Sequence, residues 1–101
     1  MINARELEKI LNIKKNLHPN DPSIYKVWEA LTEIFSESEE NTISYLMNCS
    51  EEDLKSIHEV FDDISERLKS ERFIAVLEHL NEKYPDLKMD VDIQYAKKCL
   101  D

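Results

Sequence analysis

The chain has 101 residues, enough for one domain with a single buried core. It contains no glycine, which removes every phosphate-cradling glycine loop and leaves no easy residue for the positive-φ turns of a hairpin-rich β fold. Against 13 basic residues stand 22 acidic ones, a net charge of −9, and repulsion from phosphate argues against nucleic acid and anionic membrane as partners.

No stretch approaches the run of about 18 apolar residues that a membrane helix needs. The start, Met1-Ile2-Asn3-Ala4-Arg5-Glu6, lacks a secretory pattern, and Cys49 and Cys99 fit neither a disulfide framework nor a zinc motif. The expectation is a cytoplasmic chain with reduced thiols and no cofactor.

The first segment carries Ala4, Leu7, Leu11 and Lys14 on one helical stripe, with Ile10 beside it. Asn16 and His18-Pro19 end it, because the residue before a proline is pushed out of the α region. Asn20-Asp21-Pro22 opens the next helix with a capping side chain and a first-turn proline. Its stripe is Ile24, Val27, Trp28, Leu31, Ile34 and Phe35, and both Trp28 and Phe35 are expected in the core. The polar stretch Ser36–Asn41 reads as a loop or frayed helix end. A short helix with Ile43, Leu46 and Met47 comes next, stopping near Asn48-Cys49.

Ser50-Glu51-Glu52-Asp53 matches the capping-box pattern, with Asp at the third helical position. The helix it opens places Leu54, Ile57, Phe61, Ile64 and Leu68 at 3-4-3-4 intervals, a seam for packing on neighbours. Ser70 caps the next helix, whose stripe is Phe73, Leu77, Leu80 and Tyr84, helped by Ala75 and Val76. Pro85-Asp86 breaks it. Val91, Ile93, Ala96 and Leu100 suggest a closing helix, although Met89–Ile93 reads equally well as extended. The predicted fold is all-α: residues 1–101 as one domain, a compact bundle of five or six short amphipathic helices.

Charge is unevenly placed. Residues 37–66 hold ten acids against one cation, Lys55, while the remainder balances 12 acids with 12 bases. On a continuous helix Glu52, Glu59, Asp63 and Glu66 face directly away from the Leu54–Leu68 seam. Like-charge pairs such as Glu59–Asp63 then cost a few tenths of a kcal/mol each, with only Lys55 to relieve the first. Replacing Glu59 and Asp63 together with lysine is expected to spare the core. Such a face is either simply solvated or a docking surface for a basic protein. The candidate docking residues are Glu37, Glu39, Glu40, Glu52, Glu59, Asp62, Asp63 and Glu66. Tyr45, off the Ile43/Leu46/Met47 stripe, is the candidate aromatic anchor, its alternative being partial burial with a solvated hydroxyl.

The inventory for catalysis is thin. His58 and Asp62 have metal-ligand spacing, with Glu59 or Glu51 nearby, but no second histidine shares their helix. A phosphotransfer histidine wants a basic residue and a glycine just after it, and Glu59-Val60-Phe61-Asp62 supplies neither. A pair of Cys49 or Cys99 with His79 would need tertiary proximity.

From Ser50 to Lys98 the chain is similar in style to helical immunity proteins of contact-dependent growth inhibition and related bacterial toxin systems. Three stretches carry the resemblance: Glu59-Val60-Phe61-Asp62-Asp63-Ile64, Leu77-Glu78-His79-Leu80-Asn81-Glu82-Lys83-Tyr84-Pro85, and Met89-Asp90-Val91-Asp92-Ile93. It covers about half the chain and implies a non-enzymatic inhibitor of a cognate toxin, commonly a basic nuclease. The alternative from another class is a helical adaptor that receives a partner helix in an apolar groove and tolerates reversal of the acidic charges.

Overall fold

The computed structural model describes residues 2–18 and 20–100. Met1, Pro19 and Asp101 lie outside the described residues, and with Pro19 the proline half of the predicted first break. Most of the described residues are helical, in the order α1 (Ala4–Asn16), α2 (Ile24–Ser36), α3 (Glu39–Asn48), α4 (Glu51–Ile57), a 3-10 turn (His58–Val60), α5 (Phe61–Leu68), α6 (Glu71–Lys83), a second 3-10 turn (Pro85–Leu87) and α7 (Asp90–Lys98). Counting α4 and α5 as one broken helix gives the six of a small bundle, and no strand occurs among the described residues.

Polar caps set most of the starts. Asn3 Oδ1 accepts from the Arg5 and Glu6 amides, Ser38 Oγ from Asn41, Ser50 Oγ from Asp53 and Ser70 Oγ from Phe73, each satisfying donors that a helix N-terminus leaves free. The Ser38 cap starts α3 at Glu39 and Ser36 ends α2, so of the predicted Ser36–Asn41 loop only Glu37 and Ser38 lie outside a helix. At α2 the structure differs from expectation. Asp21 Oδ1 accepts from the Ser23 amide in a local turn, and the helix begins only at Ile24, beyond Pro22. The closing segment is helical from Asp90, not extended.

One core joins all of these elements. Leu7, Leu11, Leu31, Phe35, Leu46, Leu54, Ile57, Phe61, Ile64, Phe73, Leu77 and Met89 are buried in a single cluster, with Phe61 edge-on to Phe73 at 6.2 Å. Phe35 is fully enclosed, as its stripe predicts, whereas Trp28 is only half-buried. Ala75, Met47 and Val91, placed on apolar stripes by the sequence, are exposed instead. Buried hydroxyls seal the helix contacts: Thr42 Oγ1 donates to the Phe35 carbonyl at 2.6 Å, and Ser65 Oγ to the Ala96 carbonyl at 2.6 Å. Serine at 65 lets α5 lie close against α7 while leaving no unpaired polar group at the contact.

The largest departure is the break at His58–Val60. The sequence predicts one straight helix from 51 to 68, and Leu54, Ile57, Phe61 and Ile64 are indeed all buried. A 3-10 turn advances about 20° more per residue than an α-helix, so three such residues rotate α5 about its axis by roughly 60° relative to α4. That rotation brings Val60 inward, to 1% exposure, when a straight helix would hold it off the seam. Lys14 covers the break, its Nζ donating to the Ser56 carbonyl at 2.7 Å.

Candidate functional site

Rotation at the break redistributes the predicted acidic face. Glu59 is exposed, as expected, but its carboxylate is not free. Its carboxylate accepts the Trp28 indole N–H at 2.8 Å and lies 3.2 Å from Lys14 Nζ, tying α1, α2 and the turn together. Glu52 is exposed but pairs with Lys15 of α1 at 3.2 Å. The cations that neutralise these acids therefore come from α1, not from Lys55.

Glu39 is likewise occupied in structure. It accepts from the Ser70 hydroxyl at 2.8 Å, with Arg72 Nη1 3.6 Å away, so the cap of α6 also holds the start of α3. Glu37 and Glu40 are exposed at the α2–α3 corner. Tyr45 is no exposed anchor. It is half-buried against the core, 5.4 Å from Phe35 between ring centroids, and burial followed by the Asp53 charge holds its phenol well above the ordinary range. The same two influences push the neighbouring Cys49 thiol up to about 11.

Three of the predicted acids remain on α5: Asp62, Asp63 and Glu66. Asp63 and Glu66 form one wall of a cleft of about 620 Å³, whose other wall is Tyr25, Trp28, Glu29 and Thr32 of α2, with Arg67 at its margin. Tyr25 is 69% exposed and meets Trp28 edge-on at 5.4 Å. Thr32 turns its hydroxyl to the Trp28 carbonyl at 2.8 Å. Among the described residues no cation lies within ion-pair distance of Glu29, Asp63 or Glu66. Partial burial, then the Asp62 and Glu66 carboxylates, raise the Asp63 carboxyl above its ordinary range, against a smaller opposing effect of Arg67. Negative charge in this cleft is thus crowded and incompletely neutralised.

Tyr25 and Glu29 are functional candidates that the stripe-based reading passes over. They lie outside the core stripe of α2, but Tyr25, Trp28, Glu29 and Thr32 recur at helical spacing along one edge of it. Tyr25 is the aromatic of α2 that the core stripe does not use.

His58 is not paired with Asp62. Its Nδ1 lies 2.7 Å from Asp92 Oδ2, which fastens the 3-10 turn to α7. Among the described residues no cluster of three or more histidine, cysteine or carboxylate side chains has a metal-holding arrangement. His79 is exposed on α6, and the Cys49 thiol donates to the Leu46 carbonyl at 3.4 Å. No described helix is long and apolar enough to cross a membrane. No protein family, curated protein or solved structure matches the chain.

Proposed function

We propose that the protein binds and neutralises a basic partner protein through the cleft between α2 and α5, in the manner of an immunity protein against a bacterial toxin, commonly a nuclease. The observation that supports this is the arrangement of Glu29, Asp63 and Glu66, with no cation in ion-pair reach among the described residues, around exposed Tyr25 and the half-buried Trp28 that it meets edge-on.

Carboxylates unpaired in the free protein are available to guanidinium or ammonium groups that hold phosphate in a nuclease. Their pairing relieves the mutual repulsion felt at Asp63. Tyr25 supplies a large aromatic contact with a polar tip, the type of side chain that dominates binding energy at interfaces, and its ring also attracts cations. Long-range attraction from the net charge of −9 speeds encounter. On this reading the protein acts by occupancy, carries out no chemistry, and works in the cytoplasm where it meets the incoming toxin.

Identification of the adjacent gene's product, and co-expression with its C-terminal domain where that domain is toxic, test the reading. Cells carrying the parent protein are expected to grow, and cells carrying Asp63→Lys/Glu66→Lys to arrest although that variant is folded and abundant. Equal growth with the double variant, or a neighbouring gene that encodes no toxic domain, contradicts the proposal and favours an adaptor.

A further inference from the structure

We propose that the binding surface extends across α5 onto α7, where Val91 and Tyr95 receive aliphatic side chains of a partner segment that interleaves them with arginine or lysine. This rests on the reading that the α2–α5 cleft receives a basic protein, and it adds what kind of basic segment fits.

α5 lies between α2 and α7. Val91 and Tyr95 are one helical turn apart on the side of α7 opposite to buried Ile93 and Ala96, and they are 59% and 53% exposed. Tyr25, on the far side of α5, is the other large exposed aromatic. Between them stand Asp62, Asp63 and Glu66. Asp62 and Glu66 also raise the thiol of Cys99, one turn beyond Tyr95, after the larger effect of its burial, so these acids reach the α7 side of the ridge. The surface is therefore an acidic ridge, with Arg67 and Lys69 at its margins, and an exposed tyrosine as a shoulder on each side.

Charge selects the occupant. Two copies of the chain meeting symmetrically across this face would set the carboxylates of α5 against one another, and the same acids repel nucleic acid and anionic lipid. A protein segment with cations spaced to meet the ridge, and apolar residues spaced to meet the shoulders, satisfies both components. One face of the Tyr95 ring already carries a cation, with Lys98 Nζ 5.6 Å from its centroid, so an incoming segment meets this shoulder through aliphatic contact and not through a further cation on that face.

The test uses the full chain, labelled with nitrogen-15, and two peptides of equal length and equal charge: arginine alternating with leucine, and arginine alternating with glycine. The leucine peptide is expected to bind about tenfold more tightly, to shift amides of Tyr25, Asp63, Val91 and Tyr95 together, and to lose that advantage against Val91→Ser/Tyr95→Ser. Both replacements are on exposed positions, and an unchanged circular dichroism melt confirms folding. Equal affinity for the two peptides, shifts that stop at α5, or an unchanged advantage in the variant overturns the extension while leaving the cleft reading intact. A dimer that the same variant dissolves assigns the shoulder to self-association and overturns it too. If neither peptide perturbs Tyr25, Asp63 or Glu66, the reading of the cleft fails and the extension with it.

Discussion

Trp28 donates its indole N–H to the Glu59 carboxylate at 2.8 Å, joining the middle of α2 to the turn that breaks the long acidic helix. Lys14 completes the junction from α1, 3.2 Å from the same carboxylate and 2.7 Å from the Ser56 carbonyl. With its side chain only 12% exposed, the lysine has given up much of its water and depends on both partners. An acid that looks like surface charge in the sequence is thus a structural strut.

Glu59→Ala should therefore destabilise the protein by about 1 kcal/mol, the pair being part-exposed. Glu59→Gln keeps an acceptor for Trp28 and should cost less. Urea midpoints monitored by tryptophan fluorescence read both effects, and native emission should shift when the indole loses its acceptor. The expectation that Glu59 and Asp63 can both become lysine without harm is corrected accordingly: the double variant should lose stability through Glu59, whereas Asp63→Lys alone should retain it. Equal melting temperatures for the two would contradict this assignment.

Burial was legible in the sequence to a greater degree than direction. The 3-4-3-4 spacing identifies Leu54, Ile57, Phe61 and Ile64 as core whether or not the helix is continuous, because a single 3-10 turn disturbs apolar periodicity only slightly. The same turn changes where polar neighbours point, and nothing local in His58-Glu59-Val60 announces it; the reason is tertiary, in Val60 seeking the core and Lys14 covering the exposed carbonyl. Capping serines at 50 and 70 were readable because the cap is a local interaction. The second bond of Ser70, to Glu39 across 31 positions, was not. Of the candidate site, Asp63 and Glu66 were legible as surplus charge, while Tyr25 and Glu29 required the packing of α2 against α5.

The absence of glycine has a measurable cost. Lys69 and Lys88 both adopt left-handed backbone, at φ 49° and 54°, where a side chain crowds the chain and glycine does not. Lys69 also bonds through its ammonium to the Cys99 carbonyl, so Lys88 is the cleaner position. Lys88→Gly should raise stability by about 0.5–1 kcal/mol, while Lys88→Ala should bring no such gain. Chemical denaturation of the three proteins side by side decides it; a loss on Lys88→Gly would contradict the strain assignment.

Asp63 provides a pH-dependent check. Its carboxyl is raised in the folded protein, so over the carboxylate range the native state holds more protons at this position than the unfolded chain. Its contribution must therefore fall as pH rises through that range, ionisation being easier once the chain unfolds. Asp63→Asn should remove that slope and leave the protein a few tenths of a kcal/mol more stable at pH 7. Thermal melts of both proteins between pH 4 and 7 test this, and a variant less stable than the parent at neutral pH would contradict it.

Cys49, with its thiol pushed up to about 11 by burial and by Asp53, should be poorly reactive in the native protein. At pH 8 its alkylation by iodoacetamide is expected to be roughly a hundredfold slower than in urea, where the thiol returns to its ordinary range near 8.5. Peptide mapping after timed quenching separates it from Cys99. Comparable rates in the two states would mean that the Cys49 environment opens readily.

The most direct measurement of the central proposal is the association rate with the proposed basic partner, a toxin domain sought in the adjacent gene, taken by stopped-flow over a range of salt concentrations. The parent protein should associate fast at low salt and slow steeply as screening shortens toward about 8 Å near 0.15 M. Asp63→Lys/Glu66→Lys should associate more slowly, with a flatter salt dependence, while Tyr25→Ala should change mainly the dissociation rate. An association rate indifferent both to salt and to reversal of Asp63 and Glu66 would show that the acidic cleft is only a solvated surface.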